Sequence, residues 1–236
     1  MELFFTNRID GETAYLDTAE SNHCIKVLRY SVGEIINFTD GQGTLYKGEI
    51  ISNAAKEVII QILERASNYM RRNYYLHMAV APPKNPVRFE WFLEKAVELG
   101  IDEITPLECE HSQRRSFNHI RGEKIILSAM KQSLKTILPK LNPMTRSMDV
   151  IAEFAGDQEF FKLFGHCREG DKRPINELLS EFKRGKIIVL IGPEGDFSIE
   201  EIKAAQQSNF NPFSLGESRL RTETAALTVV SAVYLN

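Results

Sequence analysis

The stretch 186–197, KIIVLIGPEGDF, limits the possible folds more than any other part of the chain. Residues 187–191 are apolar without alternation, as in a strand covered on both faces, and they run directly into Gly192, Pro193, Glu194 and Gly195. Ser198 and Glu201 follow at the S-x-x-E spacing of a capping box, which predicts a helix from Ser198 to about Gln207. Asn211 and Pro212 interrupt, and residues 213–215 are predicted as a short strand ending at Gly216. Beyond Arg219, Leu220 and Arg221, Thr222 is placed to N-cap a last helix with Ala225, Ala226, Val229, Val230 and Val233 on its apolar side. Strand, glycine turn and helix in repetition imply a parallel sheet, whose turns offer backbone N–H groups and a crevice to a ligand.

The same α/β grammar reaches back to residue 74. Residues 74–81 read as a strand and Pro82, Pro83 and Pro86 then stop regular structure. Phe89, Phe92, Leu93, Ala96 and Val97 recur at helical spacing, with Gly100 placed to end the helix and 101–107 as the next strand. After a polar loop, a long helix is predicted over 118–138, ended by Pro139. Helical segments at 149–154 and 175–182 flank a buried strand at 160–165. The first seventy residues differ in kind. Short runs at 2–5, 12–16, 34–39, 44–52 and 57–63 are rich in Ile, Val, Phe and Tyr, and a helical patch near 19–29 interrupts them. Five short strands are accommodated by a small closed or half-closed barrel. The predicted domains are therefore 1–70 and 71–236.

At 236 residues, with 43% hydrophobic and 26% charged residues, the chain has the composition of a globular protein with a sizeable core. No apolar run approaches the length of a bilayer span and the first residues lack a signal-peptide layout, so a cytoplasmic protein is expected. Cys24, Cys109 and Cys167 are scattered without CxxC or zinc-ligand spacing, so free thiols and no metal are expected. The net charge of −3 hides an uneven distribution: between His111 and Arg146 eight basic residues stand against Glu123 alone. A basic face on an otherwise acidic chain makes a polyanion partner plausible, beside the plainer reading of a solvated helix surface.

Gly192-Pro193-Glu194-Gly195 lacks the Lys-Ser/Thr of a phosphate loop and is not GxGxxG; taken alone it is as well read as a structural turn. The second turn is odder. Arg219, Arg221, Thr222, Glu223 and Thr224 put more polar groups at a helix start than a cap requires. IGPEG, then LGxxxLRxETA, with RFEWFLEKAVELG and AMKQSLKTILPKLNP upstream and HCIKVLR near the start, resembles the ribosomal RNA small subunit methyltransferase E family of SPOUT methyltransferases. The likeness covers nearly the whole chain. Two positions depart from the family pattern: Asp196 stands where it has a second glycine after GPEG, and Lys131 where it has glutamate in AxEQS.

The resemblance implies an N-terminal PUA-like RNA-binding barrel and a C-terminal α/β SPOUT domain with a deep trefoil knot, an exception to the rule against knots. It implies S-adenosyl-L-methionine as cofactor, N3 of one uridine in the decoding region of 16S rRNA as target, the assembled small ribosomal subunit as substrate, and a homodimer. The cofactor would lie against Leu190, Ile191, Gly192, Glu194, Gly195, Leu215, Gly216, Leu220, Arg221, Thr222, Thr224 and Ala225, largely through backbone groups and apolar walls. Uracil N3 must lose its proton for transfer, and a cation beside O2 or O4 favours the anion. Arg221 is the first candidate, with a structural pairing to Glu194 or Glu223 as the alternative; Glu223 is open between a base and a helix-dipole cap. Arg8, Arg29, Lys84, Arg88, Arg114 and Arg115 are expected to position RNA. A non-catalytic RNA-binding or ribosome-assembly protein is the alternative function.

Overall fold

The computed structural model describes residues 2–54 and 56–236. The chain clusters into two compact units, one comprising the chain up to Arg71 with Leu127–Leu138, the other Arg72–Ile126 with Pro139–Asn236. The first unit thus takes in a later segment, 127–138, beside its opening one.

The first unit contains β1 (Leu3–Phe5), β2 (Ile9–Asp10), β3 (Thr13–Tyr15), α1 (Thr18–Asn22), β4 (Ile35–Thr39), β5 (Leu45–Ala54) and β6 (Glu57–Ala66). These strands form one sheet in the order β1-β4-β5-β6-β3-β2, antiparallel except for β1 with β4. Phe4, Ala14, Ile36, Phe38, Ile50, Val58 and Ile60 from five strands meet in a single buried cluster, so the sheet curls over its own face as a half-closed barrel. Gly48 permits the curl: a Cβ there would lie 2.4 Å from Ile60 Cγ2 and 2.7 Å from the Gln61 carbonyl oxygen. The expected helix at 19–29 is a short α1 followed by a π-helical turn, His23–Val27, after which Arg29 takes φ 62°.

In the second unit the elements are β7 (Tyr74–Val80), α2 (Pro86–Leu99), β8 (Glu103–Glu108), the first part of α3 (His119–Gln132), whose residues from Leu127 on belong to the first unit, β9 (Lys140–Leu141), β10 (Thr145–Arg146), α4 (Ser147–Phe154), β11 (Phe160–Gly165), β12 (Arg173–Pro174), α5 (Ile175–Glu181), β13 (Gly185–Ile191), α6 (Ile199–Gln207), β14 (Asn211–Ser214) and α7 (Thr222–Leu235). The sheet order β10-β8-β7-β13-β11-β14-β12 is parallel throughout, with β9 beside β8. The unalternating run 187–191 is the central strand, and residues 187–190 are wholly buried. In-register pairing sets Ile191 opposite both Val80 and Gly165, and Gly165 opposite Phe213. Four strands thus end together, and the turns under discussion begin at that carboxyl edge.

The bounds of α3 and β14 differ from expectation. α3 stops at Gln132, six residues before Leu138, because Leu134 turns to φ 55° and Lys135 N–H returns to the Met130 carbonyl, a Schellman-type end. Ile137 and Leu138 keep helical spacing, yet their segment pairs with the Asp40–Gly43 turn of the first unit: Leu138 N–H donates to Gly41 and Gly43 N–H to Thr136. β14 begins at Asn211, two residues before the expected start. Pro212 is tolerated there. Lys131, expected on the basic face, is mostly buried and paired with Glu20, whose other oxygen accepts from Phe5 N–H at 3.1 Å. No helix among the described residues is long and apolar enough to cross a membrane.

Candidate active site at the carboxyl edge of the sheet

The turn after β13 is fixed from both sides. Ala81 N–H donates to the Ile191 carbonyl, and Gly192 and Pro193 are buried. The predicted capping box is present: Ser198 Oγ accepts from Glu201 N–H at 3.2 Å, and Glu201 Oε2 from Ser198 N–H at 2.7 Å. Glu201 Oε1 also accepts from Glu110 N–H at 3.0 Å and from the Ser147 hydroxyl, so one buried carboxylate ties the starts of α4 and α6 to the end of β8. Gly195 is needed where His111 packs, since a Cβ there would stand 2.9 Å from His111 Cβ.

Asp196, the residue at the family's second glycine, takes φ 65°. Its own carboxylate supports that conformation: Oδ1 accepts from Phe197 N–H at 2.8 Å and Oδ2 from Cys167 N–H at 2.9 Å, while its carbonyl lies 3.2 Å from His111 Nδ1. Aspartate tolerates the left-handed region better than most residues, and here it also ties the turn after β13 to the end of β11. Beside it His166 stacks on Phe164, and burial, aided by Lys172, lowers its pKa. Periodicity gave no hint of His166 or Cys167 at this edge; the strand register alone brings them there.

The second turn meets the first through one bond. Thr222 Oγ donates to the Gly192 carbonyl at 3.2 Å. This corrects the expected N-cap: the cap position is Arg221, in extended conformation without a side-chain cap bond, and Thr222 is the first helical residue with its hydroxyl turned to the other loop. Gly216 has φ 102°, and an added Cβ would meet no atom within 4 Å, which leaves open space beside half-buried Leu215 and Leu220. Leu190 is buried in the core, Thr224 is exposed and Ala225 half-buried. Glu194 accepts from Lys84 N–H at 3.1 Å.

Arg221 is exposed and forms no ion pair among the described residues, so the structural pairing with Glu194 or Glu223 is absent. Glu223 is 6% exposed; its Oε1 lies 3.7 Å from Arg88 Nε and its Oε2 has no partner. Arg88 is therefore partly engaged with Glu223. Lys84 lines the same cleft as Arg88, and Arg114 Nε donates to the Lys84 carbonyl at 3.3 Å, while Arg115 pairs with Glu108. Arg8 and Arg29 belong to the first unit, Arg8 paired with Glu57 and lying over the Tyr15 ring, Arg29 exposed. Of the eight basic residues between 111 and 146, Arg115, Arg121, Lys131 and Lys140 pair with acids, which shrinks the basic face read from composition. Cys24 and Cys109 are buried thiols with raised pKa, Cys24 to about 11, burial being the main cause; Cys167 is exposed.

A parallel sheet whose carboxyl-edge turns are bound to one another, in a chain that also carries a half-closed β-barrel, defines an α/β protein with a ligand crevice at that edge. A sequence profile of the RNA methyltransferase domain matches residues 71–234, and one of the RNA methyltransferase PUA domain matches 16–63. The chain belongs to the ribosomal RNA small subunit methyltransferase E family. The family member of that name from Mesomycoplasma hyopneumoniae is 27% identical over 236 residues, 98% of each chain. A crystal structure of a probable rRNA-methyltransferase from Porphyromonas gingivalis superposes with TM-score 0.87 and 34% identity, over 100% of this chain and 97% of that one. A methyltransferase from Legionella pneumophila, solved with its bound cofactor SAM, gives TM-score 0.81 and 27% identity over 99% and 96%. The expected fold class, α/β SPOUT with a PUA-like barrel, is that of these relatives.

Proposed function

We infer that this protein binds S-adenosyl-L-methionine at the carboxyl edge of β13, β11 and β14 and transfers its methyl group to N3 of a uridine in the decoding region of 16S rRNA, acting on the assembled small subunit as a homodimer in the cytoplasm. The observation that carries the reading is the Thr222–Gly192 bond, which unites the two turns that family resemblance assigns to one site. The residues present fit the cofactor. Open space lies beside Gly216, the half-buried Leu215 and Leu220 offer backbone groups and apolar surface, as an adenosine needs, and the cations of this turn, Arg219 and Arg221, are exposed rather than buried against a sulfonium.

When bound, S-adenosylmethionine supplies an electrophilic methyl carbon whose bond electrons remain on sulfur. The chain's own task is to place the uracil and to stabilise its N3 anion. Arg221, exposed and unpaired beside the second turn, is suited to face a uracil carbonyl oxygen. Glu223, one residue beyond Thr222, is suited to hold the N3 proton. Lys84, Arg114 and Arg115 in this unit, and Arg8 and Arg29 in the first, remain phosphate-positioning candidates. The test is calorimetry with S-adenosylmethionine, followed by transfer of labelled methyl to small subunits and mapping of the product. Binding with one methylated uridine supports the reading. A protein that binds RNA but not the cofactor is instead a ribosome-assembly factor.

A further inference from the structure

Arg88, with Glu223 behind it, lines a cleft that reaches the first turn at Glu194. It has a volume of about 540 Å³ and is lined by Lys84, Asn85, Pro86, Arg88, Gln113 and Glu194. Asn85 N-caps α2, its Oδ1 accepting from Val87 N–H at 3.1 Å, which leaves the amide NH₂ available. Gln113 is exposed, and its side chain has no hydrogen bond among the described residues. The carboxylate held against Arg88 is unusual. The Glu223 side chain is 8% exposed, its Oε1 lies 3.7 Å from Arg88 Nε, beyond hydrogen-bond reach, and Oε2 has no partner. A buried carboxylate without hydrogen bonds is costly, and such a group in a native fold calls for a donor from elsewhere.

Of the two RNA pyrimidines, only uracil answers that need at N3. Uracil presents carbonyl O2, N3–H and carbonyl O4, an acceptor–donor–acceptor row, whereas cytosine turns a lone pair outward at N3. The complement is an acceptor flanked by donors. Resting on the methyltransferase reading above, we propose that this cleft receives the target uracil, Glu223 accepting N3–H while Arg88 and the Gln113 or Asn85 amide donate to the flanking carbonyls. Arg88, expected among the phosphate contacts, then becomes a specificity residue. The base reaches Oε2 by displacing Arg88, whose side chain is 37% exposed and only loosely paired. The N3 proton passes to Glu223 Oε2, the electron pair stays on N3, and the resulting charge spreads onto the two carbonyl oxygens that the donors hold. Glu223 follows Thr222, which is bonded to the cofactor turn, so base and cofactor meet across two consecutive residues.

The experiment uses the full chain, with Glu223→Gln, Arg88→Met and Gln113→Ala, S-adenosylmethionine calorimetry, and methyl transfer to unmodified small subunits made with uridine or with 5-fluorouridine, whose N3–H is more acidic. Glu223→Gln is expected to bind the cofactor within about twofold of wild type and to lose transfer by roughly 10²–10⁴-fold. Raised pH and 5-fluorouridine should restore part of that loss, which a purely structural role would not allow. Arg88→Met and Gln113→Ala should each lower kcat/KM about tenfold, the cost of one lost hydrogen bond to a developing charge. Undiminished transfer by Glu223→Gln, or a loss indifferent to 5-fluorouridine, overturns the base pocket. Absence of cofactor binding by the wild type overturns the function proposed above.

Discussion

The Thr222 hydroxyl donates to the Gly192 carbonyl oxygen at 3.2 Å, joining the start of α7 to the turn that ends β13 across thirty residues of chain. Thr222 is 6% exposed, so neither group has water as an alternative partner. Thr222→Val keeps the shape and removes the donor. The expected cost is about 1–2 kcal/mol of stability, for one buried carbonyl left unsatisfied. Cofactor affinity should fall roughly tenfold, the equivalent of about 1.4 kcal/mol. Urea unfolding and calorimetry measure both.

Arg221 caps α7 with its backbone but spends no side-chain bond on the fold. Arg221→Ala should therefore change stability by no more than about 0.5 kcal/mol, as for an exposed side chain without partners. If it is the cation facing the uracil anion, transfer should fall at least about 100-fold at unchanged cofactor affinity. Single-turnover methylation is the measurement, and a normal rate would remove Arg221 from the chemistry.

Asp196 contributes in two separable ways, by accepting the left-handed φ and by tying Phe197 and Cys167 N–H groups. Asp196→Gly retains the first and loses the second; Asp196→Ala loses both. Alanine should therefore be the less stable of the two variants by about 1–2 kcal/mol, the penalty for a Cβ in that region. Both should exchange the Cys167 amide hydrogen faster than wild type. Thermal unfolding and amide exchange resolved at that position check the two halves.

His77 lies on β7 with Nε2 at 2.8 Å from Thr105 Oγ and Nδ1 buried without a partner. Burial lowers its pKa to about 4. The unfolded chain takes up this proton near pH 6.5 and the folded chain only near 4, so stability is retained above pH 6.5 and declines as pH falls toward 4. The loss is on the order of 3 kcal/mol from this group. Its neighbour Glu103 acts lower. Burial raises the Glu103 pKa, but bonds from Lys140, Tyr75 and Asn142 outweigh it and hold the group at about 2, so its share is lost only below about 4.5. Urea titrations followed by Trp91, the single tryptophan, should show the slope from pH 6.5 to 4 in wild type and a shallower one in His77→Gln.

Legibility in the sequence followed the range of the interactions. Local signals carried the elements: the apolar run of β13, the capping box at Ser198 and Glu201, and the periodic face of α2 ending at Gly100, whose φ is 119°. Long-range pairing decided what local signals missed. Residues 136–138 keep helical spacing but satisfy their backbone with the Gly41–Gly43 turn, and Lys131 reads as surface charge until Glu20 is seen beside it. In the site, the two turns were legible as motifs and their joining was not, because a threonine at a helix start looks like a cap. The partnerless oxygen of Glu223 and its loose hold on Arg88 have no sequence signature.

The most direct test is mass-spectrometric mapping of small-subunit rRNA from cells with and without this protein. A single 3-methyluridine in the decoding region, present with the protein and absent without it, is the predicted result. Identical maps from the two cells would contradict the account.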